Sequence, residues 1–159
     1  STGAIPLRTG IERLLKEARS QNLRLAIATT TTPDNVTALL ENTLGSNSPG
    51  WFEVIAAGDI VPAKKPASDI YDYALAEMNL AAEECLAFED SHNGILSSMG
   101  AGLATIITVN GYTVDHDFSG ALLVLDNMGE PDQPFTALQG NANNHTYVDC
   151  ALLKTLHDK

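Results

Sequence analysis

The sequence predicts an α/β fold, a parallel sheet covered by helices on both faces, from three observations. Short apolar runs alternate four times with helix-period segments, the connections between them are short, and 159 residues fit one domain with a sizeable core. Each strand of such a series must be carried back to the same end of the sheet by a crossover, and the crossover helices then cover its faces.

The elements follow in order. Residues 11–22 place Ile11, Leu14, Leu15 and Ala18 at helical spacing with charges between them, which predicts an amphipathic helix. Residues 23–28 (LRLAIA) read as a buried strand. Thr32-Pro33-Asp34 supplies a cap, a proline for the first turn and an acidic residue near the helix start, opening a helix with Val36, Leu39 and Leu40 on one face. A loop over residues 45–50 leads to a strand at 52–57 and an irregular stretch through Pro66. Ser68 caps the next helix, with Ile70, Tyr73, Ala74 and Met78 on its buried side. An acidic turn at 81–84 precedes a strand at 85–88, a helix at 91–101 and a strand at 104–109. The remainder is less regular, with a weak strand at 121–125, a surface excursion at about 129–144 and a short final helix from Asp149. There are no internal repeats.

Charge narrows the function. The formal net charge is −11, which argues against nucleic acid or an anionic membrane as partner, since both need basic surface. No run approaches the length of a membrane span. All four arginines lie within the first 24 residues, and no Lys or Arg occurs from Pro66 to Leu153. Lys64-Lys65 is the one basic point in mid-chain and the natural place to hold an anionic substrate. Cys85 and Cys150 lack metal-ligand spacing and a disulfide pattern, and Cys85 reads as a small buried residue in a reducing compartment. The histidines lack the i, i+4 spacing of a zinc helix. The opening Ser1-Thr2-Gly3-Ala4 is no signal peptide and lacks a starting Met. The expected location is the cytoplasm, with an organelle left open because a transit peptide would be lost along with the native N-terminus.

Ligands of open α/β sheets bind beyond the carboxyl ends of the strands, and the polar residues of this chain collect there. After the first predicted strand comes Thr29-Thr30-Thr31-Thr32, hydroxyls and backbone N–H groups before a helix N-terminus, suited to an anion. After the second comes Lys64-Lys65-Pro66, and after the third Glu89-Asp90-Ser91, paired carboxylates suited to Mg²⁺. Singly, these are a helix cap, a solvated lysine pair and a helix start. Together they predict one phosphate-and-cation site on one rim.

Their order resembles the haloacid dehalogenase (HAD) phosphohydrolase superfamily. LRLAIAT resembles its second motif with Thr29, AKKPASDIY its third with Lys65, and CLAFEDSHNGILSSMGAG its fourth with Glu89 and Asp90. The Glu-Asp-Ser and Lys-Pro-x-x-Asp-Ile-Tyr forms are similar to the β-phosphoglucomutase-like branch, and NGYTVDHDFSGALLVLDNMGEP to its CbbY-type sugar-phosphate phosphatases. The resemblance covers roughly residues 3–132. It implies a Rossmann-like core, a Mg²⁺ cofactor and a small phosphorylated metabolite as substrate. It also implies that Asp90 is a metal ligand and Glu89 a second, directly or through water. Thr29 donates its hydroxyl and Thr30 its backbone N–H to phosphoryl oxygens, Lys65 balances charge, Lys64 is a solvated neighbour, and His92 and Asn93 border the site.

The family's first motif, an Asp-x-Asp-Gly-Thr strand with the nucleophile, has no counterpart here, nor does the helical cap that follows it. Asp115-His116-Asp117 follows Asn110-Gly111-Tyr112 rather than an apolar strand and reads as an ordinary loop. The resemblance therefore implies that residues 1–159 are the C-terminal part of a core domain, lacking the nucleophile strand and the cap, and inactive in isolation. That strand would lie between the strands ending at Ala28 and Phe88, leaving unpaired backbone on both. Such a chain is expected to need its own cleaved N-terminal piece, a symmetry mate or a rearranged sheet to complete it. A phosphotransferase like β-phosphoglucomutase, and a non-catalytic remnant binding a phosphorylated ligand, are the other readings left open.

Overall fold

The computed structural model describes residues 7–158. Helix α1 (Ile11–Ser20) buries Leu14 and Ala18. Its C-terminal turn is closed by Asn22 at φ 61° and by the Leu23 N–H donating to the Ala18 carbonyl at 2.9 Å. That closure claims Leu23 for the helix end and leaves it 47% exposed, so β1 (Ala26–Thr29) begins three residues later than its apolar run and ends on Thr29 itself. Helix α2 (Pro33–Leu44) starts as its sequence predicts, with the Thr32 side chain accepting from the Asn35 N–H and Pro33 at the first position. Val36 and Leu40 are buried, whereas Leu39, expected on that face, is exposed. The loop that follows contains a 3₁₀ turn (Ser48–Trp51), and the buried Ser48 hydroxyl reaches the Leu40 carbonyl at 2.9 Å.

Strand β2 (Val54–Ala57) pairs parallel with β1, Ala28 opposite Ala56 and Thr29 opposite Ala57. Arg24 clips the two together ahead of the pairing, donating to both carboxylate oxygens of Glu53 and to the Met78 carbonyl at the end of α3 (Asp69–Met78). The buried tyrosine of α3 is Tyr71; Tyr73 is only half-buried. Next come β3 (Leu86–Glu89), α4 (His92–Gly100), β4 (Ala104–Thr108), β5 (Leu123–Leu125), β6 (Ala137–Gly140) and α5 (Cys150–His157). Cys85, expected inside, is half-buried; Cys150 is the buried thiol.

Strands β3, β4 and β5 are parallel and β6 runs antiparallel to β5, with an irregularity between Val124 and Leu125. The expected surface excursion at 129–144 therefore contributes an edge strand. All four residues of β6 are exposed, so no apolar alternation announced it.

The strands form two sheets, β1–β2 and β3–β4–β5–β6, so β1 and β3 are both edges. Helix α3 bridges them, its Ile70 and Tyr71 packing with Ala56 of β2 and Ala87 of β3. Alternation along β4 separates the faces of the larger sheet. Ile106 packs with Leu14 of α1 and Leu152 and Leu156 of α5, while Ile107 packs with Ile95 of α4. Helices thus cover both faces, as the pattern predicts.

Gly10 sets how closely α1 docks on this core. Its φ is 87°, and a Cβ there would meet the Gly129 carbonyl oxygen at 2.3 Å and the Met128 side chain at 2.7 Å. Both contacts are with groups fixed by the core, since the Met128 N–H donates to Thr9 and its carbonyl accepts from Val148. Gly10→Ala combines left-handed strain with overpacking and is expected to destabilise the fold by about 2–3 kcal/mol in urea unfolding.

Candidate active site

Strands β1 and β3 bring their carboxyl ends to one cavity of about 290 Å³. Ile11, Ala28, Phe88 and Met128 give it apolar walls; Thr29, Lys65, Glu89, Asp90 and Thr108 supply the polar groups. Four of the five residues proposed from the sequence therefore meet in one place. The fifth, Thr30, follows directly on Thr29, is exposed and is not part of the lining. Lys64 points away, its ammonium 2.7 Å from Asp59 Oδ1.

Lys65 comes from the connection between β2 and α3, after which the Lys65–Pro66 peptide bond is cis. Its Nζ donates to the Ala28 carbonyl at 3.1 Å and to Glu89 Oε2 at 2.6 Å, tying the edge of β1 to the end of β3. The paired side chains are 16% and 7% exposed, so this ion pair is shielded from solvent. An ammonium has three donors; with two used inside the protein, one remains for a ligand.

Glu89 is held from three directions. Its Oε2 accepts from Lys65 and from the Tyr71 hydroxyl, and Gly94 lies against Oε1, where a Cβ would stand 2.0 Å away. Burial first, and the charge of Glu89 second, push the Tyr71 hydroxyl above its ordinary range, so it stays protonated and donates. The Lys65 ammonium also lies 5.2 Å from the centre of the Tyr71 ring. Gly94 takes part in the start of α4, its N–H donating to the Ser91 cap at 3.0 Å.

Asp90 is exposed, with the Asn110 side-chain amide 3.5 Å from its Oδ2. Thr29 Oγ1 accepts the Thr31 N–H at 3.1 Å, which orients the hydroxyl and leaves its proton free to donate.

The match to known proteins spans the strands and loops that supply Thr29, Lys65, Glu89 and Asp90. Residues 2–102 match the haloacid dehalogenase-like hydrolase family. The chain belongs to that family. Among its relatives is the plasmid-encoded protein CbbY of Cupriavidus necator, 43% identical over 155 residues, covering 98% of this chain and 61% of that protein. A phosphorylated carbohydrates phosphatase of Thermotoga maritima is 29% identical over 117 residues, covering 74% of this chain and 50% of that protein. The crystal structure of a CbbY mutant from Rhodobacter sphaeroides, in complex with xylulose-(1,5)bisphosphate, superposes with a TM-score of 0.77 at 45% identity. It covers 79% of this chain and 56% of that one. The chain thus spans less than two thirds of the length of these relatives.

For a haloacid dehalogenase-like core the donor chemistry here fits a hard divalent cation. Asp90 and Glu89 offer hard carboxylate oxygens, and among the described residues no group of three or more His, Cys, Asp or Glu is gathered to hold a metal by itself. Any further ligands must come from outside the described residues, from water or from substrate.

A second cavity of about 420 Å³ adjoins the start of α4, lined by Ser91, His92, Asn93, His116 and Asp117. The His92 N–H donates to His116 Nδ1 at 3.1 Å, and His92 Nδ1 lies 2.7 Å from the Asp117 carbonyl. His92 and Asn93 line this second cavity and are not among the residues lining the first. The Asp-x-Asp at 115–117 lies in a turn. Ser119 donates to Asp117 by side chain and backbone, holding that carboxyl below its ordinary range, and the following Phe118 is buried in the core. Sequence reasoning did not single out Tyr71, Gly94 and Asn110. Tyr71 lay in plain view inside the lysine motif, six residues after Lys65.

Proposed function

We propose that the full-length protein is a Mg²⁺-dependent phosphatase of small sugar phosphates, acting through an aspartyl-phosphate. The observation that carries this is the meeting of Thr29, Lys65, Glu89 and Asp90 in one cavity at the strand ends. The CbbY and carbohydrate-phosphate phosphatase relatives support the substrate class.

Thr29 and the Thr30 backbone N–H would bind phosphoryl oxygens, and the remaining Lys65 donor would offset charge as the phosphoryl group transfers. Asp90, with Glu89 beside it, would hold Mg²⁺, which when bound neutralises charge on the transferring group. We place the aspartate nucleophile on a strand between β1 and β3, where the sheet is divided, and hence outside residues 7–158. The described residues alone are then inactive.

Phosphate release by the full-length protein from a panel of sugar phosphates, with Mg²⁺ and with excess EDTA, tests this. Turnover of sugar phosphates that EDTA abolishes is expected. EDTA-resistant turnover, or none on any phosphate ester, contradicts the reading. Interconversion of sugar phosphate isomers without release would instead mark a phosphotransferase.

A further inference from the structure

We propose that Tyr71 is a positioning residue of this site: its hydroxyl and the Lys65 ammonium together hold Glu89 Oε2, so that Oε1 is the oxygen Glu89 turns toward a bound cation. The inference rests on the proposed Mg²⁺ site and adds what fixes the geometry of its second carboxylate.

A glutamate side chain has three rotatable bonds, and a carboxylate left to itself presents either oxygen. Here Oε2 has two donors, one charged and one neutral, arriving from the loop before α3 and from its first turn. Among the described residues no donor is seen on Oε1, which lies against the bare Cα of Gly94. The three constraints are mutually dependent. Tyr71 is buried between the two sheets, packing with Ala56 and Ala87, so its hydroxyl cannot swing to solvent. Its ring faces the Lys65 ammonium, so the same side chain steadies both members of the ion pair. The Tyr71 hydroxyl donates to Glu89 alone, whereas the contact with Lys65 is made by the ring, so removing only the hydroxyl acts through that carboxylate. Its effect should therefore be on cation binding, with substrate binding left alone.

The test uses the full-length protein with Mn²⁺ as probe, free Mn²⁺ being counted by electron paramagnetic resonance. Tyr71→Phe keeps the ring and removes only the donor. We expect Mn²⁺ to bind about tenfold more weakly and half-saturation by Mg²⁺ to rise in step, with KM for p-nitrophenyl phosphate unchanged. In a Glu89→Gln background the same substitution should have little further effect, because its route is gone. Gly94→Ala provides a variant that leaves Tyr71 intact and pushes a methyl group onto Oε1; a similar loss of Mn²⁺ affinity is expected. Wild-type affinity in folded Tyr71→Phe, an undiminished effect in the Glu89→Gln background, or wild-type affinity in Gly94→Ala would overturn the inference alone. A wild-type protein that binds no Mn²⁺ would overturn the functional reading with it.

Discussion

Replacing Lys65 with methionine is expected to damage stability and catalysis together. Methionine matches the length of the stem but removes the charge from a pair whose carboxylate is 7% exposed. Glu89 would keep the Tyr71 hydroxyl and lose its only counter-ion among the described residues. Breaking a shielded pair from one side leaves a charge without compensation, at a cost of about 3 kcal/mol against a total stability of roughly 5–15 kcal/mol. The Ala28 carbonyl on the edge of β1 loses a donor in the same step. Urea unfolding should show the loss as a lower midpoint. In the full-length protein kcat/KM should fall by about 10²–10³, the loss seen when one preorganised donor to a developing charge is removed. A variant with wild-type stability would mean that the Lys65–Glu89 contact contributes little.

Asp90→Asn should separate the two effects. Asp90 is exposed and, among the described residues, its side chain makes one long hydrogen bond, to Asn110, so stability should change by no more than about 0.5 kcal/mol. The amide keeps the shape and loses the charge that a hard cation requires. Mg²⁺ half-saturation should rise by at least about a hundredfold, with kcat falling even at saturating metal. Activity within a few-fold of wild type would remove Asp90 from the metal site. The contrast is informative in itself: the lysine is part of the architecture that joins the two sheets, whereas the aspartate makes no such tie.

What could be read from the sequence follows a physical rule. Thr29, Glu89 and Asp90 were readable because each stands at or just after the end of an apolar run, and parallel strands deliver such positions to one rim; Lys65 was readable from the loop that follows such a run and from its Lys-Pro motif. The cap at Thr32 was readable because capping is local chemistry, whereas Ser68, expected to cap α3, makes no side-chain cap bond and donates its hydroxyl to Asp72 instead. Features settled by tertiary packing were not. Tyr71 and Tyr73 lie on opposite sides of the Ile70–Ala74–Met78 stripe of α3. Only the packing of α3 across both β2 and β3 decides which of the two is buried and which carboxylate it meets. Strand β6 has no apolar face and exists because β5 offers an edge to pair with. Leu23 looks like strand in one dimension and becomes the end of a helix through a single backbone hydrogen bond.

The account stands or falls on whether the residues around this cavity bind phosphate and metal as one unit. A crystal structure of the full-length protein with Mg²⁺ and inorganic phosphate tests that most directly. The expected result is phosphate within hydrogen-bond reach of Thr29 Oγ1 and Lys65 Nζ, and the cation bound to Asp90 beside it. Phosphate and cation bound elsewhere, with these three side chains touching neither, would contradict it.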